Sequence, residues 1–396
     1  MSGQREIRSV AIVTSIAFSI SNFRGPLIRR LVEQGVRVQA LAPDYDEETR
    51  AAVRALGAEP VDISLERTGL RPGRDLIDMM GLVATFRRLK PDLVFCYFIK
   101  PVIYGTIAAR LAGVPRRYAL VAGLGYVFTP DGSRDTVKRR ALRIAASNLY
   151  RFAFRFCRRV FLQNGDDRDA LCNSGILQRD KAIQVAGSGV DLSRFVPQPA
   201  VISPVTFILI ARLLREKGIL EYVEAARGIK ASHPDVVCLL LGDVDSNPGG
   251  LPREKVMQWV SEGVLEWPGQ VPDVRPWLAR SSVFVLPSYR EGKPRSTQEA
   301  MAMGLPVITT DAPGCRDTVE EGVNGFKVPV RNAVELEAAM RRFVDKPELI
   351  ETMGLESRRM AERVFDVDKI NDVMLEAMEL HRAELDPGHR PTGSAI

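Results

Sequence analysis

The chain has 396 residues, 45% of them hydrophobic, which is enough apolar material to bury two separate cores. Its five cysteines are scattered, with no CxxC pair and no histidines at metal-binding spacing, so the sequence argues against a disulfide framework or a zinc site and favours a reducing compartment. Residues 1–200 hold 31 Lys+Arg against 19 Asp+Glu, whereas residues 201–396 hold 24 against 30, so an anionic partner is expected for the first half.

Neither a signal peptide nor a membrane-spanning helix is predicted. Residues 1–8 already carry charges of both signs, and the apolar run that follows them merges into a strand pattern. The longest uncharged runs are shorter than the roughly 18 residues that a spanning helix needs.

Short apolar, β-branched runs alternate with helical patterns along the chain. The predicted strands are residues 7–15, 37–43, 91–98, 117–122, 159–163, 205–212, 236–242, 282–287 and 306–310. Nearly continuous apolar strands separated by helices are typical of parallel sheets covered on both faces. The expected fold class is therefore α/β, with two doubly wound, Rossmann-like domains that face each other across a cleft.

The composition also predicts the domain boundaries. Residues 187–204 combine glycines and prolines without a clear periodicity, which is typical of a hinge. The prediction divides the chain into an N-terminal domain, a hinge, a C-terminal domain, a helix that returns toward the N-terminal domain, and a disordered tail. Their respective boundaries are 1–190, 191–204, 205–370, 371–386 and 387–396.

Three segments of the first half follow predicted strands, and ligands of doubly wound folds bind at that edge of the sheet. These segments contribute Arg24, Lys100 and the group Gly123, Gly125 and Tyr126. A lysine in such a loop can bind an anion, although an ordinary loop charge is the alternative. The glycines would let a substrate approach the backbone. The first half contains no histidine, so no imidazole base can be assigned there.

Residues 136–165 contain eight Lys+Arg and no acid. Apolar residues recur there at helical spacing between the arginines, which predicts an amphipathic helix able to lie on an anionic bilayer. A core helix whose arginines extend into solvent is an equal alternative. No recognised nucleic-acid motif accompanies this charge, so nucleic acid is not a predicted partner.

In the second half, Arg212 ends a predicted strand and Lys217 follows it beside a glycine. A guanidinium and an ammonium at this edge can both reach a diphosphate, whereas each alone would be an ordinary surface charge. Residues 242–250, GDVDSNPGG, contain a D-x-D spacing, but the same residues form a common turn signal, and no metal is predicted.

Two glutamates, Glu291 and Glu299, lie eight residues apart in the segment 288–311. Glu291 lies in a turn after a strand, and Pro294 is expected at the first position of the following helix, whose free amides would stabilise a phosphate in the cleft. Glu299 lies one and a half turns into that helix, where a buried acid needs hydrogen-bond donors such as sugar hydroxyls. The alternative is that Glu299 pairs with a nearby arginine and that Glu291 is a solvated turn acid.

Over nearly its whole length, to about residue 380, the sequence resembles the family 4 glycosyltransferases with the GT-B fold. It resembles in particular their bacterial branch that acts on undecaprenyl-diphosphate-linked saccharides, of the diacetylbacillosaminyl-diphospho-undecaprenol N-acetylgalactosaminyltransferase type. The matching stretches are ARLLREKG (211–218), GDVDSNPGG (242–250), the segment 281–329 with its E-x7-E pair, NFRGPLIRRLVEQGVRVQALAPD (22–44), and YFIKPVIYGTIAARLAGV with GLGYVF (within 97–128).

The resemblance implies a retaining, metal-independent enzyme that needs no cofactor. It would move a sugar, an N-acetylhexosamine, from a UDP-sugar to an undecaprenyl-diphosphate-linked saccharide during the synthesis of a surface polysaccharide or glycan. The N-terminal domain would bind the acceptor and the C-terminal domain the nucleotide sugar. The protein would be cytoplasmic and peripheral on the inner face of the cytoplasmic membrane.

The resemblance also implies a role for each site residue. Glu291 would hold hydroxyls of the donor sugar, Glu299 would hold the ribose, and Arg212 with Lys217 would hold the diphosphate. The implied catalytic set is Arg212, Lys217 and Glu291; the further donor-binding residues are Gly292, Pro294, Arg295 and Ser296; the acceptor-binding residues are Arg24, Lys100, Gly123, Gly125 and Tyr126. Pro294 departs from the family pattern, in which many members offer a glycine amide to phosphate, and Arg295 would substitute for that amide.

Three other functions are compatible with parts of this pattern. A transferase acting on a soluble acceptor would share the donor site. A sugar-nucleotide epimerase would share the fold but needs acid and base groups on the first-domain wall. A non-catalytic membrane scaffold would keep the basic helix but has no use for the charged set of the second half.

Overall fold

The computed structural model describes residues 6–66, 71–125, 128, 137–245, 247 and 249–380. The strands of this part of the chain form two parallel sheets, one of seven strands and one of six. None of the described helices is both long and apolar enough to cross a membrane.

The first sheet and its helices are built from residues 9–184. The strands are β1 (Ser9–Val13), β2 (Arg37–Ala42), β3 (Glu59–Asp62), β4 (Leu93–Tyr97), β5 (Arg116–Val121), β6 (Arg159–Leu162) and β7 (Ala182–Gln184). The helices are α1 (Phe18–Glu33), α2 (Glu47–Ala55), α3 (Pro72–Leu89), α4 (Thr106–Leu111), α5 (Val137–Phe154) and α6 (Gly165–Asn173). A π-helical turn, Pro101–Gly105, precedes α4, and a 3-10 turn, Arg179–Lys181, precedes β7.

The second sheet follows the same plan. Its strands are β8 (Thr206–Ile210), β9 (Val237–Leu241), β10 (Glu266–Gly269), β11 (Val283–Leu286), β12 (Val307–Thr310) and β13 (Gly325–Val328). The helices are α7 (Ile219–Ser232), α8 (Arg253–Ser261), α9 (Arg275–Ala279), α10 (Arg295–Ala302), α11 (Ala333–Asp345), α12 (Glu348–Met360) and α13 (Val367–Ala377). Three shorter turns are Arg215–Lys217, Arg316–Thr318 and the π-helical Ala361–Phe365.

Both sheets have the doubly wound strand order. The first runs β3-β2-β1-β4-β5-β6-β7 and the second β10-β9-β8-β11-β12-β13. In each, the order reverses beside the first strand, between β1 and β4 and between β8 and β11, and ligands of such folds bind at that reversal. The predicted fold class is confirmed.

The nine predicted strands coincide with β1, β2, β4, β5, β6, β8, β9, β11 and β12. The sequence analysis missed β3, β7, β10 and β13, and each of these lies at an edge of its sheet. β10, for example, alternates exposed and half-buried residues and carries Glu266 and Pro268, so it lacks the apolar run that identifies a central strand.

The chain passes between the two domains at two neighbouring places. Val190 lies beside Asp366 in an isolated bridge, in which the Val190 N–H donates to the Phe365 carbonyl (2.8 Å) and the Val367 N–H donates to the Val190 carbonyl (3.1 Å). After this crossing, α13 returns to the first domain, and its Met374 and Leu375 belong to the buried cluster around β1, β2 and α1. The predicted tail and residues 381–386 of the predicted C-terminal helix lie outside the described residues.

Candidate functional site

The loops after β8 and β11 meet where the strand order of the second sheet reverses. These two strands are direct neighbours, so side chains that follow them emerge side by side. Lys217, after β8, places its Nζ 2.5 Å from Oε1 of Glu291, which follows β11, and both side chains are largely buried. The structure therefore brings together two of the three predicted catalytic residues.

Backbone contacts fix these two loops against each other. Gly218 has a φ of 72°, and a Cβ at this position would lie 2.1 Å from the carbonyl oxygen of Pro287, so only glycine allows the loop to lie so close to the end of β11. The Tyr289 N–H donates to the Glu216 carbonyl (2.9 Å), and the Tyr289 hydroxyl donates to Glu221 (2.7 Å). The distance between Lys217 and Glu291 is thus set by the fold of both loops.

Arg212 lies at the rim of this site. Its Nη1 is 2.6 Å from Oδ2 of Asp245, and its side chain is about half exposed. The other acid of the D-x-D spacing, Asp243, pairs with Arg253 (2.7 Å). Asp245 also accepts a hydrogen bond from the Asn247 N–H (2.9 Å), which is the turn that the sequence predicted.

The helix α10 begins at Arg295, one residue later than predicted, because Pro294 occupies the N-cap position in extended conformation. Proline has no N–H to donate, but because Pro294 precedes the helix, α10 itself loses no amide. The first amides of α10, from Arg295 onward, have no acceptor within the helix, and the positive end of the helix dipole lies at the same place. Ser296 is in this first turn, as the donor-site prediction requires.

Glu299 pairs with Arg295 along α10. Nε of Arg295 is 2.8 Å from Oε1 of Glu299, so the structure shows the alternative that the sequence left open for this acid. Burial raises the pKa of Glu299, and the adjacent guanidinium opposes that effect. Arg295 also donates to the carbonyl oxygen of Asn22 and lies over the ring of Phe23, so it contacts the first domain as well.

Buried polar atoms without a partner concentrate on the same segment. Within the described part of the chain, no hydrogen-bond partner is found for Ser288 Oγ, Arg290 Nε, Thr297 Oγ1 and Gln298 Oε1. Because buried polar groups are normally hydrogen-bonded, this concentration indicates a site for a polar ligand.

Gly292 lies against the end of β5 in the first domain. A Cβ on Gly292 would lie 2.1 Å from the carbonyl oxygen of Ala122, and a Cβ on Gly123, whose φ is 120°, would lie 3.1 Å from the Gly292 nitrogen. The close approach predicted at Gly123 is therefore made by the opposite domain. Gly125 neighbours the side chain of Ile99, and Tyr126 lies outside the described residues.

Lys100 and Arg24 are both buried in the first domain. Nζ of Lys100 is 2.7 Å from Oδ1 of Asp75, and both side chains are almost inaccessible to solvent. Arg24 lies within α1, where its guanidinium is 5.3 Å from the ring centre of Tyr97, and burial lowers its pKa to about 10. The sequence placed both at the correct edge of the sheet but did not predict their burial.

Sequence reasoning missed two residues of the first domain that contact the Glu291 loop of the second. Asn164 caps α6 and donates from Nδ2 to the Gly292 carbonyl (2.7 Å), and Asp167 forms an ion pair with Arg290. A signal was present, because Asn164-Gly165-Asp166-Asp167 directly follows a predicted strand and has the composition of a helix start.

Two family models match the chain and together cover most of it. Residues 26–194 match the model described as Glycosyltransferase Family 4, and residues 204–346 match the model described as Glycosyl transferases group 1. The two matches divide at the segment between the two sheets.

Curated relatives match over most of their length. The N,N'-diacetylbacillosaminyl-diphospho-undecaprenol alpha-1,3-N-acetylgalactosaminyltransferase of Campylobacter jejuni is 27% identical, over 86% of this chain and 90% of the relative. The UDP-Gal:alpha-D-GlcNAc-diphosphoundecaprenol alpha-1,3-galactosyltransferase of Escherichia coli is also 27% identical, over 76% of this chain and 80% of the relative.

Solved structures share the fold. HepE of Anabaena, crystallised with UDP and glucose, superposes with a TM-score of 0.74 at 18% identity, over 94% of this chain and 100% of that one. Sucrose-phosphate synthase of Thermosynechococcus elongatus superposes with a TM-score of 0.76 at 17% identity, over 94% of this chain and 98% of that one.

Proposed function

The chain belongs to the family 4 glycosyltransferases with the GT-B fold, and on this premise we propose that it transfers a sugar from a UDP-sugar to a saccharide carried on undecaprenyl diphosphate. The relatives from Campylobacter jejuni and Escherichia coli, whose names specify such acceptors, support the acceptor class. The single observation that carries the proposal is the pairing of Lys217 with Glu291 at the strand-order reversal.

Each cation proposed to bind phosphate is paired with a carboxylate in the structure. Lys217 pairs with Glu291, Arg295 with Glu299, and Arg212 with Asp245. A diphosphate would compete for these cations and release the two glutamates, whose oxygens would then accept hydrogen bonds from hydroxyls, Glu291 from the sugar and Glu299 from the ribose. The same residues thus suit a ligand that has both a diphosphate and hydroxyl groups.

The chemistry follows from where charge develops. As the bond between the anomeric carbon and the diphosphate breaks, negative charge grows on the leaving oxygens, which Arg212, Lys217 and the first turn of α10 would stabilise without a metal ion. The acceptor hydroxyl forms the new bond on the same face, and its proton passes to a leaving phosphate oxygen. This route gives retention at the anomeric carbon and needs no histidine in the first domain.

The acceptor would lie on the first-domain wall, near Lys100, Arg24 and the glycines after β5. Lys100 is paired with Asp75, so an acceptor phosphate would have to compete with that carboxylate. Cation–π contacts with Tyr97 and Phe95 hold the Arg24 guanidinium against β4 of the first domain.

A membrane surface is the proposed location of the acceptor. Among the described side chains of α5, Arg139, Tyr150, Ala153 and Phe154 are buried, whereas Ile144 and Phe152 remain exposed among arginines. Exposed apolar residues beside cations are typical of helices that lie on anionic bilayers. They favour a membrane-surface role for α5 over the alternative of a core helix whose arginines extend into solvent.

The test is transfer of labelled sugar from a panel of UDP-sugars to a short polyprenyl-diphosphate-linked saccharide, with and without EDTA. We expect transfer that persists in EDTA, and we expect Glu291→Ala to abolish it while the protein stays folded. Normal turnover by the folded variant would refute the donor site. Conversion of the donor without an acceptor would instead indicate an epimerase.

A further inference from the structure

The start of α6 in the first domain contacts the Glu291 loop of the second domain. The Asn164 side chain donates from Nδ2 to the Gly292 carbonyl (2.7 Å), while its Oδ1 accepts from the Asp167 N–H (2.7 Å). Asp167 forms an ion pair with Arg290. These contacts lie on the two residues that flank Glu291.

Both sides of the ion pair are shielded from water. The Asp167 side chain is 1% exposed and that of Arg290 is 14% exposed, and burial raises the pKa of Asp167 while Arg290 opposes the shift. Since a buried charge is costly without a partner, loss of either member of the pair would penalise the arrangement in which the two domains touch. Separation of the domains would return both groups to water.

Asn164 also donates from Nδ2 to the carbonyl oxygen of Glu291 (3.4 Å), so the first domain contacts Glu291 directly. Its N–H donates to the Pro313 carbonyl (3.0 Å) within its own domain, and a Cβ on Gly314 would collide with the Glu291 carbonyl oxygen, so the loop packs closely on that side. The remaining polar contacts of Arg290 and Gly292 are with α6. Contacts from both domains therefore fix the Glu291 loop, and separation of the domains would remove those made by the first domain.

We propose that Asn164 and Asp167 are positioning residues for transfer, which hold the loop of Arg290, Glu291 and Gly292 in its active position only when the domains are closed. They touch neither substrate and act through Glu291, so the inference rests on the proposed function. Through these contacts, closure of the two domains over the acceptor places Glu291 in position to bind the donor sugar. Displacements of about 1 Å at such a site reduce rates by about 100-fold.

The same interface supplies a matched control. Arg316 pairs with Asp166, the residue beside Asp167, at 2.9 Å, but both of these side chains are 37% exposed. An exposed pair of this kind contributes little, because water and salt screen it. Asp166→Asn and Asp167→Asn therefore remove the same charge at adjacent positions. The first substitution breaks the exposed pair with Arg316, and the second breaks the buried pair with Arg290.

The experiment compares kcat, donor affinity and shape for these two variants. We expect Asp167→Asn to lower kcat by about 100-fold while the UDP-sugar dissociation constant changes less than about threefold, and Asp166→Asn to stay near the wild type. Arg290→Gln should act like Asp167→Asn, and the double variant should lose no more than either single one, because all three break one contact.

Small-angle X-ray scattering gives a readout that does not need activity. Asp167→Asn should increase the radius of gyration relative to Asp166→Asn, both without and with UDP. Equal radii for the two variants, wild-type kcat in Asp167→Asn, or additive losses in the double variant would each overturn the proposal. A wild-type protein that binds no UDP-sugar would refute the proposed function instead, and the scattering comparison would still decide the closure contact.

Discussion

Among single residues, the sequence identified the charged groups of the site but left most of their partners undetermined. Glu291, Glu299, Lys217 and Arg295 all lie at the carboxyl edge of the second sheet, as their positions after strands predicted. The pair of Lys217 and Glu291 joins two separate loops, which no sequence spacing specifies, whereas Arg295 and Glu299 are four residues apart on one helix, and the sequence had left their pairing open as the alternative. The roles of these residues in binding a donor stay a prediction.

Lys100 allows a structural role to be separated from a functional one. Lys100→Met would leave Asp75 buried without its cation, and we expect this to lower the free energy of unfolding by about 3–5 kcal/mol. Adding Asp75→Asn removes the stranded charge and should restore most of that loss, since the Tyr104 hydroxyl can still donate to the new side-chain oxygen. Chemical denaturation of the three proteins measures both effects.

The restored double variant then tests the acceptor proposal. If Lys100 binds the acceptor diphosphate, the double variant should show an acceptor KM raised about 10- to 100-fold with unchanged UDP-sugar affinity, since the loss of one charge-assisted contact is worth about 1.5–3 kcal/mol. An unchanged acceptor KM in this stable protein would restrict Lys100 to holding Asp75.

At the scale of helices and strands, the prediction succeeded where burial is complete. The central strands are apolar runs because helices cover both of their faces, whereas the edge strands β3, β7 and β10 each include exposed residues and have no such pattern. An edge strand is defined by the neighbour that it pairs with, and that neighbour is remote in sequence. Periodicity therefore identified the inner strands and missed the outer ones.

The last helix gives a prediction at this scale. Met374 on α13 is fully buried in the cluster around β1 and α1, so Met374→Ala should lower the free energy of unfolding by about 2–5 kcal/mol. Val373→Ala is the control, because this neighbouring side chain is 44% exposed, and a change within about 0.5 kcal/mol is expected. Equal effects of the two substitutions would show that α13 does not stabilise the first domain.

At the scale of the whole molecule, the two sheets place both strand-order reversals toward a shared cleft. Gly123 meets Gly292, and the start of α6 meets the Glu291 loop, so groups from chain positions far apart form one site. The two domains also differ in charge, because the excess of Lys+Arg lies in the first half of the chain. A basic first domain is consistent with the proposal of a lipid-linked acceptor at an anionic membrane.

Flotation with liposomes tests this orientation. The protein should float with vesicles that contain anionic lipid and float less with neutral vesicles. Binding should weaken as the salt concentration is raised, because salt screens the attraction between the charges. Arg140→Glu together with Arg155→Glu, both exposed on or next to α5, should weaken flotation. Arg363→Glu, an exposed change on the second half, should not. Equal flotation with anionic and neutral vesicles would contradict the membrane proposal and favour a soluble acceptor.

The amino-acid pattern alone was enough to predict the α/β class, the two doubly wound domains, the inner strands and the edge of the sheet at which the charged residues lie. These follow from local apolar patterning and from the rule that parallel strands end at one edge. The folded chain was needed to show which of these charges are buried, how the separate loops pair, and that Asn164 and Asp167 contact the Glu291 loop from the opposite domain. Such contacts depend on distances between segments remote in the chain, and those distances are set by how the two domains pack.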